Sequence, residues 1–257
     1  VTARGSIFSS GPANYFRIAG NPSDLAESTA QLFLGTRLAC AKCHHHPYER
    51  LGQADYHGFA AFFARVASKG SAEFGIFGGD SIVMVTPSGE VTHPRTGAVM
   101  KPTPLGGEAI ETGDDRRVAL AAWLTSPDNE FFARSLANRH VALLLGRGLV
   151  EPVDDLRSTN PPTNREMMDL LVREVRSSGF DVRRLMRFVM TSRLYHLDSV
   201  PLEANAADDR FYSHFRVRRL PAEALLDCID EATLVRTKHP NLPLGTRAIE
   251  LPDAASA

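Results

Sequence analysis

The chain has 257 residues, 43% of them hydrophobic and 23% charged, with 29 basic against 30 acidic side chains. That balance belongs to a globular protein with a sizeable core, built as one large domain or two smaller ones. It excludes a disordered tail, a collagen-like repeat and a coiled coil, and the near-zero net charge argues against a dedicated nucleic-acid binder.

The first 20 residues, rich in Gly, Ser and aromatics, read as irregular or extended. A helix is predicted from Asn21-Pro22-Ser23-Asp24, because Asn caps well, Pro suits the first turn and Asp24 complements the helix dipole. Leu25, Thr29, Leu32, Phe33 and Leu38 carry its apolar face towards Cys40. Pro47 cannot continue a helix, so Cys40 to His46 lies at or just past a helix end. A second helix is predicted at about 53–66.

From Gly70 to Gly113 glycines and prolines multiply. Ser81 to Val85, followed by Pro87-Ser88-Gly89, reads as a strand entering a hairpin. Helical signals then resume. Ser126-Pro127 opens one helix, Thr163 and Glu166 form a capping box before another, and Pro221 opens a third. The expected fold class is mainly α, with two helical blocks, 1–69 and roughly 114–236, joined by a small β-containing Gly/Pro-rich segment at 70–113. The longest apolar runs, such as Val141 to Leu145, are too short to span a bilayer, so no membrane span is expected.

Three cysteines are too few for a disulfide scaffold. Cys228 stands alone on a predicted helix and reads as a small buried apolar residue. Cys40 and Cys43 share one motif, Cys40-Ala41-Lys42-Cys43-His44-His45-His46-Pro47. C-x-x-C-H is the attachment pattern of haem c: two thiols add to the two vinyl groups, and the adjacent histidine becomes the proximal iron ligand. That assigns Cys40, Cys43 and His44 as cofactor-binding residues, with catalytic residues unassigned.

Two other readings use the same atoms. C-x-x-C also occurs as a redox disulfide, and Cys40, Cys43 and His44 or His46, with a more distant His93, supply the ligand types of a zinc site. The backbones of His44 and His46 stand about 7 Å apart at most, too close to serve opposite faces of one haem. Candidates for a second axial ligand are His57, His93, Met84 and Met100. His93 is the most suggestive, since it lies in an irregular segment where ligating loops are common.

The run Gln31 to Pro47, followed by Asp55-Tyr56-His57-Gly58-Phe59-Ala60-Ala61-Phe62-Phe63, resembles the planctomycete cytochrome c-like domain family. The second block resembles that family's usual companion, a planctomycete-specific domain of unknown function. Its matching residues are Asn138-Arg139, Gly146 to Asp155, Thr191 to Tyr195, Arg218 to Glu223 and Gly245 to Ile249. The resemblance implies haem c at the C-x-x-C-H motif, electron transfer or part of an oxidoreductase, and export to the periplasm or cell surface. It implies a redox partner or an upstream cytochrome domain in the same chain. His46-Pro47 and His93 fit the family pattern, whereas position 57 is usually aromatic there. The pattern continues past Ala257, so the expectation is an internal fragment: a cytochrome c-like region at 1–69, the β-containing segment, and a truncated companion domain at 114–257. The alternative function is a Cys/His metal module, structural or within a polymer-degrading hydrolase.

Asp154-Asp155 reads as a set of caps or partners for Arg147 or Arg157 rather than as catalytic carboxylates. Gly146-x-Gly148 lacks the third glycine of a dinucleotide fingerprint. Arg183-Arg184 and Arg216 to Arg219 read as short basic clusters on helices, and Trp123 with Phe131-Phe132 as core.

Overall fold

The computed structural model describes residues 1–70, 81–127, 129–240 and 242–251. They fall into two compact units, Val1–Phe215 and Arg216–Ala257. The fold is mainly helical with one small sheet, as the sequence implies.

In the larger unit, strands β1 (Gly5–Ser6), β2 (Val66–Gly70) and β3 (Ser81–Val85) form an antiparallel sheet in the order β1-β3-β2. Val66 stands opposite Val85, Gly70 opposite Ser81, and Gly5 opposite Val83. Alternation along β3 buries Val83 and exposes Met84. The hairpin expected after Pro87 is not formed, since β3 pairs with the strand before it. Instead, Gly89 takes a left-handed φ of 149° and presses on Ala64, where any Cβ would collide with the carbonyl oxygen.

Helix α1 (Tyr15–Ile18) precedes α2 (Pro22–Thr29), which starts where expected, with Asn21 Oδ1 accepting from the Asp24 amide at 3.0 Å. The helix does not reach Cys40. It widens into a π-turn over Ala30–Leu34 and stops at Gly35, whose φ of 64° no side chain adopts readily. A separate 3-10 turn, Leu38–Lys42, carries the cysteine motif. Helix α3 (Gln53–Ala60) tightens into a 3-10 turn at Ala61–Phe63, ending before Val66 because that residue enters β2.

These elements and α4 (Arg116–Leu124) enclose a first core that includes Leu25, Leu34, Leu38, Tyr56, Phe59 and Leu120. Arg117 is fully buried beside it. Its guanidinium holds both oxygens of Asp115 at 2.8 Å, donates to the Ala3 carbonyl and lies over the Phe16 ring. Those partners offset the cost of burying the charge. Trp123, Phe131 and Phe132 pack partly buried against this core, as expected.

A second core lies between α5 (Phe131–Leu145), α6 (Arg165–Ser177) and α7 (Val182–Met190), around Val141, Leu149, Met168, Leu171 and Leu185. Two start signals shift. The helix expected from Ser126-Pro127 begins at Phe131, because the Asn129 side chain accepts from the amides of Phe131 and Phe132. The cap of α6 is Asn164, not Thr163, with its Oδ1 2.8 Å from the Met167 amide. Arg183-Arg184 lies on α7, and Arg184 pairs with Glu174 at 2.6 Å.

In the smaller unit, α8 (Ala222–Thr233) follows Pro221 as predicted. Asp227 accepts from the amides of Ala248 and Ile249 and so ties a 3-10 turn, Ala248–Glu250, to the helix. Cys228 is exposed rather than buried, since Asp227 and Asp230 occupy the inward positions. Arg216 to Arg219 is not helical. No helix among the described residues is long and apolar enough to cross a membrane.

Candidate functional site

Residues three apart eclipse in a 3-10 turn. Leu38 and Ala41 are both buried and anchor one edge of the Leu38–Lys42 turn in the first core. Cys40 and Cys43 occupy the opposite edge, where both thiols are free and exposed. The inward edge thus presents the motif to solvent on a fixed base.

The loop after the turn is held by its own backbone. The His46 amide donates to the Leu51 carbonyl at 2.8 Å, and the His45 ring lies where a Cβ on Gly52 would come within 3.2 Å. Small Gly52 therefore leaves room for His45 at the start of α3.

Backbone partners set the three motif-related imidazoles apart. His44 Nδ1 lies 2.7 Å from the His45 carbonyl oxygen, which can only accept, so Nδ1 carries a proton and, in the neutral ring, Nε2 is the nitrogen with the lone pair. His46 Nδ1 instead accepts from the Tyr48 amide at 3.2 Å, and His93 Nδ1 from the Arg95 amide at 3.3 Å. In the neutral ring those two bear the proton on Nε2. His44 is thus arranged as a ligand through Nε2, and His46 and His93 as donors.

Cys43, His44 and His93 line one cleft of about 620 Å³, together with Arg50, Arg95 and Gln53. Cys40 and His46 line a neighbouring cleft of about 190 Å³ with Arg37, Tyr48 and Arg157. The fold therefore gathers three of the five predicted site residues and places the other two alongside. Met84 and Met100 line neither cleft. Among the described residues, no group of three or more His, Cys, Asp or Glu side chains is placed to hold a metal ion.

His57 is buried, with its ring centroid 5.7 Å from that of His93 and its Nε2 without a hydrogen-bond partner among the described residues. Burial, and then the nearby His93, push its pKa below the ordinary histidine value. Sequence reasoning missed Arg50 and Arg95. The available signal was proximity: Arg50 lies in the loop after the histidines and Arg95 directly follows His93-Pro94.

Asp154 and Asp155 act as ion-pair partners. Asp154 takes Arg37 at 2.8 Å, in place of the expected Arg147, and Asp155 takes Arg157 at 3.4 Å. The Arg37 guanidinium holds the Asp154 carboxyl below the usual carboxylate range.

A family model described as PSD1, protein of unknown function (DUF1553), matches residues 116–246, just over half the chain. The chain belongs to the PSD1 family. Its PSD1 region runs from α4 through α8 and includes the second core. A second model, PSCyt2, protein of unknown function (DUF1549), matches residues 10–68, the stretch that carries the C-x-x-C-H turn preceding the PSD1 region. No curated protein and no solved structure matches the chain.

Proposed function

We propose that the chain is an exported haem c protein of electron-transfer or oxidoreductase type, with Cys40 and Cys43 as thioether sites and His44 as the proximal ligand. The observation that carries this reading is the state of His44. Its Nδ1 proton is committed to the His45 carbonyl, its Nε2 is left for a metal, and it lines a 620 Å³ cleft beside Cys43. A backbone carbonyl fixing the tautomer of a ligating histidine is a common second contact at metal sites. What supports haem is that both thiols stand free on the outward edge of one turn, Cys43 on the larger cleft and Cys40 on its neighbour. Arg50 and Arg95 supply guanidinium donors on the same cleft, the side chains best suited to carboxylates such as haem propionates. His93, whose Nδ1 accepts from the Arg95 amide, also lines this cleft. Haem bound there supplies a one-electron couple at iron. Export supplies a compartment in which haem attachment takes place, and a redox partner or linked cytochrome domain takes the electron.

The test is expression with and without a cytochrome c maturation system. Protein from the competent host should keep one haem per chain after denaturation, and Cys40→Ser with Cys43→Ser should abolish that attachment. A denatured chain with no bound haem overturns the proposal. The alternative, a zinc-type metal module on Cys43, His44 and His93, rests on ligand type and a shared cleft, since among the described residues these side chains are not placed to hold a metal ion together. It requires stoichiometric metal in the purified protein that Cys43→Ala removes.

A further inference from the structure

A third cleft, of about 330 Å³, is lined by Arg134 of α5, Arg157, and Arg165 at the first position of α6. Val150 and Met168, both buried, also line it. Its cations are poorly matched. Among the described residues neither Arg134 nor Arg165 has an ion-pair partner, and Arg157 meets only Asp155, at 3.4 Å from a buried Nε that makes no hydrogen bond. Arg157 is held in place by stacking on the Tyr48 ring at 4.5 Å. The adjoining groove shares Arg134 and Arg165 and adds Arg176 against Glu130 and Asp169, so cations outnumber carboxylates there too.

We propose that this cleft binds a sulfate or phosphate group, free or carried as an ester on a larger organic molecule. Guanidinium forks match the paired oxygens of such groups, remain charged at all accessible pH values, and shed water more readily than an ammonium. The cleft is several times larger than a bare ion needs, given that one water occupies roughly 30 Å³ in the liquid. The remaining space, walled partly by Val150 and Met168, accommodates the carrier of an ester. Nothing in this site depends on haem at the cysteine turn.

Calorimetric titration of the full chain with sodium sulfate, at ionic strength held constant with chloride, tests the assignment. Saturable one-site binding is expected, weakened at least about tenfold by Arg134→Gln and by Arg165→Gln, since each removes charge-assisted hydrogen bonds. Arg183→Gln, on the exposed face of α7, should bind as the parent does. Arg165 is exposed, so its variant keeps the fold even if Arg134→Gln does not. Glucose 6-sulfate in place of sulfate separates the two sources. Binding of both, weakened by the same variants, supports an ester ligand, and binding of sulfate alone supports the free ion. Unsaturable heats, or equal weakening by Arg183→Gln, overturn the site.

Discussion

Asn138 and Val150 are joined by two hydrogen bonds, Nδ2 to the carbonyl oxygen and backbone amide to Oδ1, each 2.9 Å long. Both residues are buried, so the carboxamide does for the turn after α5 what a neighbouring strand would do. Gly148 completes the fit: a Cβ there would lie 2.7 Å from the Val150 oxygen and 2.9 Å from Asn138 Oδ1. Asn138→Leu leaves a buried donor and a buried acceptor unpaired, at a cost of about 3 kcal/mol. Urea denaturation followed by circular dichroism should show a clearly lowered midpoint. An unchanged midpoint would mean that water replaces the carboxamide.

Gly35 does comparable work for the cysteine region. Its carbonyl accepts from the Leu156 amide at 2.8 Å, and a Cβ on its left-handed backbone would meet Leu156 Cδ1 at 2.6 Å. Gly35→Ala should therefore destabilise by about 1–3 kcal/mol. Leu156→Ala in the same chain relieves the collision, so the double variant should be more stable than the sum of the two losses predicts. Strict additivity in denaturation would show that the collision is absorbed elsewhere.

The same residues show what the sequence made legible. Local chemistry was readable where a few neighbouring side chains decide it: Asn21 caps α2, Pro221 precedes α8, and the run Ser81 to Val85 before Pro87-Ser88-Gly89 marks β3. The mainly helical class with a small sheet followed from these signals. Helix starts shifted where two suitable caps compete within a few residues, as Thr163 and Asn164 do. The helix leading to Cys40 broke because Gly35 is pinned by Leu156, 121 positions away in sequence and invisible to periodicity. Likewise, the cysteine turn could be found from spacing, but its partition between two clefts depends on the loop bearing His93. The imidazole tautomers depend on backbone carbonyls and amides, which no side-chain pattern records.

Asp154 bonds Arg37 and also accepts from Gln31 at 2.5 Å, joining α2's extension to the loop after α5. Because Arg37 depresses its pKa in the folded state, its contribution is fully present above the unfolded value, about 4. It is lost as pH falls below that value through the folded one. Half-exposed Arg37 limits the effect to about 1 kcal/mol at neutral pH. Thermal unfolding of Asp154→Asn against the parent should show a deficit at pH 7 that shrinks steadily towards pH 3. A deficit constant with pH would assign the loss to packing rather than charge.

On the proposed haem reading, the ring hydrogen bonds of His44 and His93 separate two variants of the loaded protein. His44→Ala keeps both thioether sites, so haem should remain covalently attached while the absorption spectrum changes, and added imidazole should restore it. His93 Nδ1 accepts from the Arg95 amide, which in the neutral ring places the proton on Nε2, so with this bond intact the ring faces the cleft as a donor. His93→Ala should therefore leave the spin state of the iron unchanged and alter only its response to added ligands that accept a hydrogen bond. A shift from low to high spin in His93→Ala would show that the ring turns, breaks its bond to Arg95 and ligates the metal itself.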